Sequence, residues 1–235
     1  MAACKRHWRL LSLVLVAVFC GAGCNALTMP YFLFQRLCGG DSKLPPVMAK
    51  LTSDDKKKVV KVVLLASSNL QGQPEFLTVD RDLANLLIRR LQQSYKDNKE
   101  NVVLLPAPKV EQYKDTHPNW ALDVPGIGKY FKADYVVWLQ VDSLSLYEQG
   151  SNNMLYQGHA NIQVSLYDMS QPDAVPQEKS YVTEYPRGSE RPVDSPNSLP
   201  FQQAFLDHIA KDLCRYFDEY DGMDSIDLPS PLGYE

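Results

Sequence analysis

The sequence predicts an α/β (α+β) domain built on a single mixed sheet, in the order β-α-β-α-β-β-β-α, with helices packed on the sheet. Three observations predict it. Tyr135 to Val141 is apolar on both faces: Tyr135, Val137, Leu139 and Val141 on one, Val136 and Trp138 on the other. Such a strand needs cover on both sides, as an inner strand of a sheet. Met154 to Tyr167 alternates with period two, placing Tyr156, Ala160, Ile162, Val164 and Leu166 opposite His159, Asn161, Gln163 and Ser165. That is an antiparallel strand with one wet side. Upstream, helical periodicities separate strand-like runs, the spacing of strand–helix crossovers.

Element by element, Val59 to Ser67 is the first strand, apolar on both faces apart from Lys61 near its start. Thr78 is placed to cap a helix running to about Tyr95, with Asp80 and Asp82 in the dipole-favoured first turn. Val79, Leu83, Leu86, Leu87 and Leu91 form its inner stripe. Val102 to Leu105 is a second strand, closed by Pro106 and Pro108, and Val110 to Trp120 is a short helix or irregular stretch. A helical turn, Ile127 to Lys132, leads into the central strand. Lys179 to Tyr185 completes a meander, and the proline-rich stretch 186–200 is an exposed loop. Phe201, Phe205, Ile209, Leu213 and Phe217 mark a last amphipathic helix, opened by Ser198 and Pro200.

Outside this domain, placed at residues 59–220, the chain has three other parts. Residues 1–23 read as a leader: Lys5, Arg6 and Arg9, then the apolar run Leu10 to Phe19, then small residues. That run is short of the roughly 20 residues that span a bilayer. Residues 24–58 read as a tether, and 221–235 as an acidic, disordered tail. The full chain carries a formal charge of −4; loss of the leader removes three cations and no acid. So acidic a body has no electrostatic affinity for nucleic acid.

Ala22-Gly23-Cys24 resembles the lipobox of bacterial lipoproteins, with Gly21 where an aliphatic residue is usual. The resemblance implies a signal peptide cleaved before Cys24 and acyl chains such as palmitate on that cysteine. Ordinary secretory cleavage, for instance after Ala26, and an uncleaved anchor are the alternatives. By analogy with enteric lipoproteins, Asn25 directs such a protein to the outer rather than the inner membrane, facing the periplasm. With Cys4 and Cys20 in the leader, Cys38 and Cys214 remain, either as a disulfide or as free thiols.

The stretch IGKYFKADYVVWLQVDSLSL, with Ile127, Gly128, Lys129, Ala133, Asp134 and Tyr135, resembles the α/β domain of a group of bacterial envelope proteins. That group includes the amino-terminal domain of TolB, the activator LpoB and the curli secretion lipoprotein CsgG, as well as uncharacterised bacterial lipoproteins. The resemblance covers roughly residues 59–220 and implies an adaptor, activator or assembly part. CsgG also builds a pore from inserted hairpins, and this sequence has no surplus pair of long alternating hairpins.

No catalytic, metal or cofactor pattern stands out. His7, His117, His159 and His208 are scattered, without a zinc spacing. Gly126-Ile127-Gly128 precedes a strand instead of following one, so it reads as a turn opening a helix and not as a phosphate cradle. Asp218, Glu219, Asp221, Asp224 and Asp227 miss the EF-hand order. Tyr147, Tyr156, Tyr167, Tyr181 and Tyr185 gather on the meander, either as anchors for a protein partner or as half-buried sheet residues. The expectation is a lipid-anchored, non-catalytic interaction or assembly module of a membrane-associated complex, contacting a partner through the meander and the 186–200 loop. The alternatives are an enzyme or small-molecule binder with a site not visible in sequence, for instance around His117 and Asp123, and a subunit of a secretion channel. The oligomeric state is left open.

Overall fold

The computed structural model describes residues 43–53, 58–70, 73–188, 190–193 and 197–221. The leader, Cys24, Cys38 and residues 222–235 of the expected tail lie outside them. The elements are Val60–Ser68 (β1), Val79–Asp97 (α1), Val102–Leu104 (β2), Ala107–Thr116 (α2), Val124–Phe131 (α3) and Tyr135–Tyr147 (β3). Leu155–Asp168 (β4), Gln177–Tyr185 (β5), Arg191–Pro192 (β6) and Leu199–Cys214 (α4) follow. Single 3-10 turns, Pro74–Phe76 and Trp120–Leu122, lead into α1 and α3.

The sheet runs β2-β1-β3-β4-β5, with β6 paired to β4. β2 and β3 lie parallel to β1, while β4 is antiparallel to β3 and β5 to β4. The mixed α/β topology is therefore the one expected. Tyr135 to Val141 lies beside β1 at the centre of the sheet, where both faces are covered. On one side Val137, Leu139 and Val141 join Val62, Leu64, Ile162 and Val164 beneath α1 and α4. On the other, Val136 packs with Val63, Leu65, Val110, Val124 and Ile127 under α2 and α3. Val136, Val137 and Leu139 are each fully buried, worth about 1.5–3 kcal/mol apiece.

Local chemistry corrects several boundaries. Pro106 and Pro108 do not merely close β2; they open α2, since proline is accommodated in a first turn where no intrahelical N–H bond is lost. At the start of α1, the Thr78 hydroxyl caps no backbone amide; it donates to Asp82 Oδ2 at 2.8 Å. The helix still buries Val79, Leu83, Leu87 and Leu91, and adds Ala84, Ile88 and Tyr95. α4 ends at Cys214, so buried Phe217 sits past it in a turn. The 186–200 loop is not wholly irregular, because β6 pairs with Leu155 and Tyr156. Met154, expected on the buried face of β4, is 69% exposed, since the strand proper begins one residue later.

The described residues from Leu44 onward belong to one compact unit. The last described part of the expected tether therefore lies on the domain. Leu51 is fully buried, and the Val47 and Met48 amides donate to the Arg215 and Tyr216 carbonyls at 2.9 and 3.0 Å.

Candidate functional site

α2 and α3 cover the sheet only over β1, the start of β3 and the end of β4. Strand registers arrange the uncovered side of the meander in rows: Gln140, Gln163 and Ser180; Ser143, Asn161 and Val182; Ser145, His159 and Glu184. A bulge between Val141 and Ser143 keeps the rows aligned while β3 lengthens to Tyr147. Val182 is 58% exposed, and none of the nine is a lysine or arginine. Side-chain contacts cross the face: Ser180 Oγ donates to Asn161 Oδ1 at 3.2 Å, and His159 Nε2 lies 3.1 Å from Glu148 Oε2. Amides, hydroxyls, an imidazole, a carboxylate and one exposed valine make a face that can contact another surface.

The five tyrosines do not form one patch. Tyr156 and Tyr181 are buried, and Tyr147, Tyr167 and Tyr185 are half-buried. Four of them lie on the side of α4. Tyr147 stacks on Tyr156 at 5.3 Å, Tyr156 on Phe201 at 4.6 Å, and Tyr185 on Phe205 at 6.1 Å. Tyr181 donates its hydroxyl to Asp212 Oδ2 at 3.1 Å, and burial raises its pKa well above the phenol range. Tyr167 lies on the opposite face, packed against the cluster of Val63, Leu65 and Val136, and burial raises it as well.

Two polar clusters were not picked out by sequence reasoning. Asp212, fully buried on α4, lies 2.9 Å from Arg215 Nη1, 3.4 Å from Arg187 Nη2 and 3.5 Å from His208 Nε2. Two guanidinium groups and a tyrosine hydroxyl keep that carboxylate satisfied, so the network fastens α4 to β5. The i, i+4 spacing of His208 and Asp212 with Arg215 three further on was the available signal. The second cluster stands where β1 ends. Lys114 Nζ donates to Ala66 O and Glu111 Oε1, both at 2.8 Å, and lies 5.1 Å from the Trp120 ring centre. Trp120 meets Trp138 edge-on at 5.8 Å, and Trp138 Nε1 donates to Ser67 Oγ at 3.1 Å. This is the crevice where ligands gather in many α/β sheets, and among the described residues Lys114, Trp120 and Trp138 stand in it.

The remaining candidates are accounted for locally. Asp123 Oδ1 accepts from the Gly126 amide at 2.8 Å, so the glycine pair opens α3 under an aspartate cap. His117 stacks on Tyr113 at 4.0 Å and is exposed. Among the described residues, no group of three or more His, Cys, Asp or Glu side chains could hold a metal ion. Cys214 is a free, half-buried thiol among the described residues, pushed up to about 12 by burial.

Fold and face together define an α/β domain whose three-strand meander is covered on one side and, among the described residues, open on the other. No family model and no curated protein matches the chain. Similar folds occur among solved structures. The PelC dodecamer from Paraburkholderia phytofirmans is 14% identical, over 74% of this chain and 94% of that one, with a TM-score of 0.40. Lipoprotein GNA1162 from Neisseria meningitidis is 13% identical, over 66% and 99%, with a TM-score of 0.39. The LpoB C-terminal domain from Salmonella enterica is 12% identical, over 64% and 92%, with a TM-score of 0.28.

Proposed function

We propose that the chain is a lipid-anchored envelope protein whose α/β domain serves as a non-catalytic interaction or assembly module, with the open meander face as its contact surface. Acyl chains on Cys24 hold it to one leaflet, and the segment between Cys24 and the domain sets the reach. Confinement near a membrane-bound partner then raises the effective concentration. The observation that carries this reading is the uncovered face of Gln140, Asn161, Gln163, Ser180 and Val182 on a sheet whose other side is fully packed. A rigid array of hydrogen-bonding groups costs little ordering entropy when a partner docks.

Photo-crosslinkers placed at Val182 and, as a control, at Leu77, which is 80% exposed but distant in the fold, test the face in the native envelope. A defined protein captured from Val182 and not from Leu77 is the expected result. Equal capture from both positions removes the meander as the contact surface. The anchor has a separate test. Cys24→Ser abolishes acyl labelling and membrane fractionation if the reading holds, and unchanged membrane association sinks it.

A further inference from the structure

A second surface lies at the other edge of the sheet. β2 is an edge strand of three residues, and beside it runs a groove of about 350 Å³ floored by Val103, Leu104, Leu105 and Phe131. Lys61 and Lys109 stand in its wall. Lys61 Nζ is steered there by the Phe131 carbonyl, 3.3 Å away. Next to Phe131, Tyr130 is 64% exposed, its ring 4.9 Å from that of Phe131, and exposed Lys129 and Lys132 flank the pair. At this end Asp134 is engaged by Lys58 at 2.8 Å and by the Lys61 amide at 2.9 Å, and Asp168 also acts on Lys58. Partial burial works to raise the Asp134 pKa, but those two bonds outweigh it and hold the carboxyl below its usual value.

From this arrangement we infer that the β2 edge and the end of α3 dock on the headgroup layer of an anionic phospholipid bilayer. Charge complementarity selects that occupant. In a chain with a formal charge of −4, Lys61 and Lys109 line one apolar groove, and exposed Lys129 and Lys132 stand on either side of its Phe131 along the chain. Exposed Tyr130 and Val103, 49% exposed, supply the amphipathic and apolar surface that settles at a headgroup boundary. Lysine stems lie along such surface while their ammonium groups reach phosphates, and each cation near an anionic leaflet adds to the attraction. The inference rests on the proposed lipid anchor only for proximity. The groove's chemistry is independent of it. Docked in this way, the β2 edge meets the leaflet and the meander, at the opposite edge of the sheet, stays available to a partner.

Amide hydrogen exchange on the full-length protein in phosphatidylglycerol vesicles, compared with pure phosphatidylcholine vesicles, reads the docking directly. The expected result is exchange slowed about tenfold or more at residues 103–109 and 130–132 only with the anionic lipid. The protection disappears in Lys109→Glu/Lys132→Glu and returns in Lys109→Arg/Lys132→Arg, which keeps charge and fold. Equal exchange in both lipids overturns the proposal. Protection that instead grows with protein concentration in the absence of vesicles also overturns it, by identifying a second copy as the occupant. Acyl labelling of Cys24 in the same sample separates the two readings. Label without protection defeats the groove alone, and protection without label defeats the anchor alone.

Discussion

Gly158 lies in β4 directly beneath the ring of Phe205, the most enclosed aromatic residue of α4. A methyl group there would sit 2.6 Å from Cδ1 and 2.7 Å from Cε1 of that ring. The ring is fully buried, so it has nowhere to turn, and the helix itself must move. We expect Gly158→Ala to destabilise the domain by about 1–3 kcal/mol, read as a lower midpoint in urea unfolding. An unchanged midpoint would mean that α4 is loosely seated. The alternation of β4 predicted that position 158 faces inward; which ring needs the space depends on how α4 crosses the sheet, and no local pattern carries that. Tyr156 and Tyr181 illustrate the same limit, since a tyrosine on a meander reads identically whether solvent or a helix lies over it. Asp123 and Gly126 are a nearer case: the glycine pair reads as a turn opening a helix, and the aspartate that caps it, found in the structure, lies only three residues away.

At the scale of elements, α4 and the turn after it concentrate buried groups whose ionised forms the fold excludes. Burial pushes the Cys214 thiol up to about 12 from 9.0, and the Tyr216 phenol up to about 12 from 10.0. Tyr181 on β5 and Tyr95 on α1, both packed against this region, are raised further by burial. A group whose folded pKa lies above its unfolded value contributes its full stabilisation below the unfolded pKa and loses it as pH rises. Stability therefore falls as pH climbs from about 9 toward 12, by at least about 1 kcal/mol between pH 9 and 11. Urea midpoints measured across that range check it, and Cys214→Ala should delay the onset because the first group to ionise in the unfolded chain is gone. A flat profile to pH 11 would contradict the burial of these side chains. Periodicity identified the elements themselves, from the inner stripe of α1 to the wet side of β4, because each is amphipathic on its own. α2 was less legible: it buries only Ala107 and Val110, with Tyr113 partly covered, so its start is announced by prolines and not by a stripe.

For the whole molecule, the least legible feature is where the domain begins. Leu51 closes the short apolar run that begins Val47-Met48-Ala49, and a run this brief between prolines and charged residues sets no helix or strand period for sequence reasoning to detect. Yet Leu51 is fully buried against the main core, and Lys50 beside it bridges Glu100 Oε1 at 2.6 Å and Glu219 Oε1 at 2.8 Å. The segment thus joins the loop between α1 and β2 to the turn after α4, two regions 119 residues apart. A chain starting at residue 59, the boundary suggested by the sequence, leaves a leucine-sized gap and two carbonyls, those of Arg215 and Tyr216, without their donors. Unfilled core volume is costly because the surroundings relax only in part, while carbonyls near the surface are partly rehydrated. We expect the chain from residue 59 to be less stable than the chain from residue 44 by about 2–4 kcal/mol. Its exchange protection should fall first at residues 212–218, where the missing donors and the Leu51 contact both act. If the two chains unfold at the same urea concentration, residues 44–53 are a tether resting on the domain; if they differ as expected, the reach of any anchor is set by residues 25–43 alone.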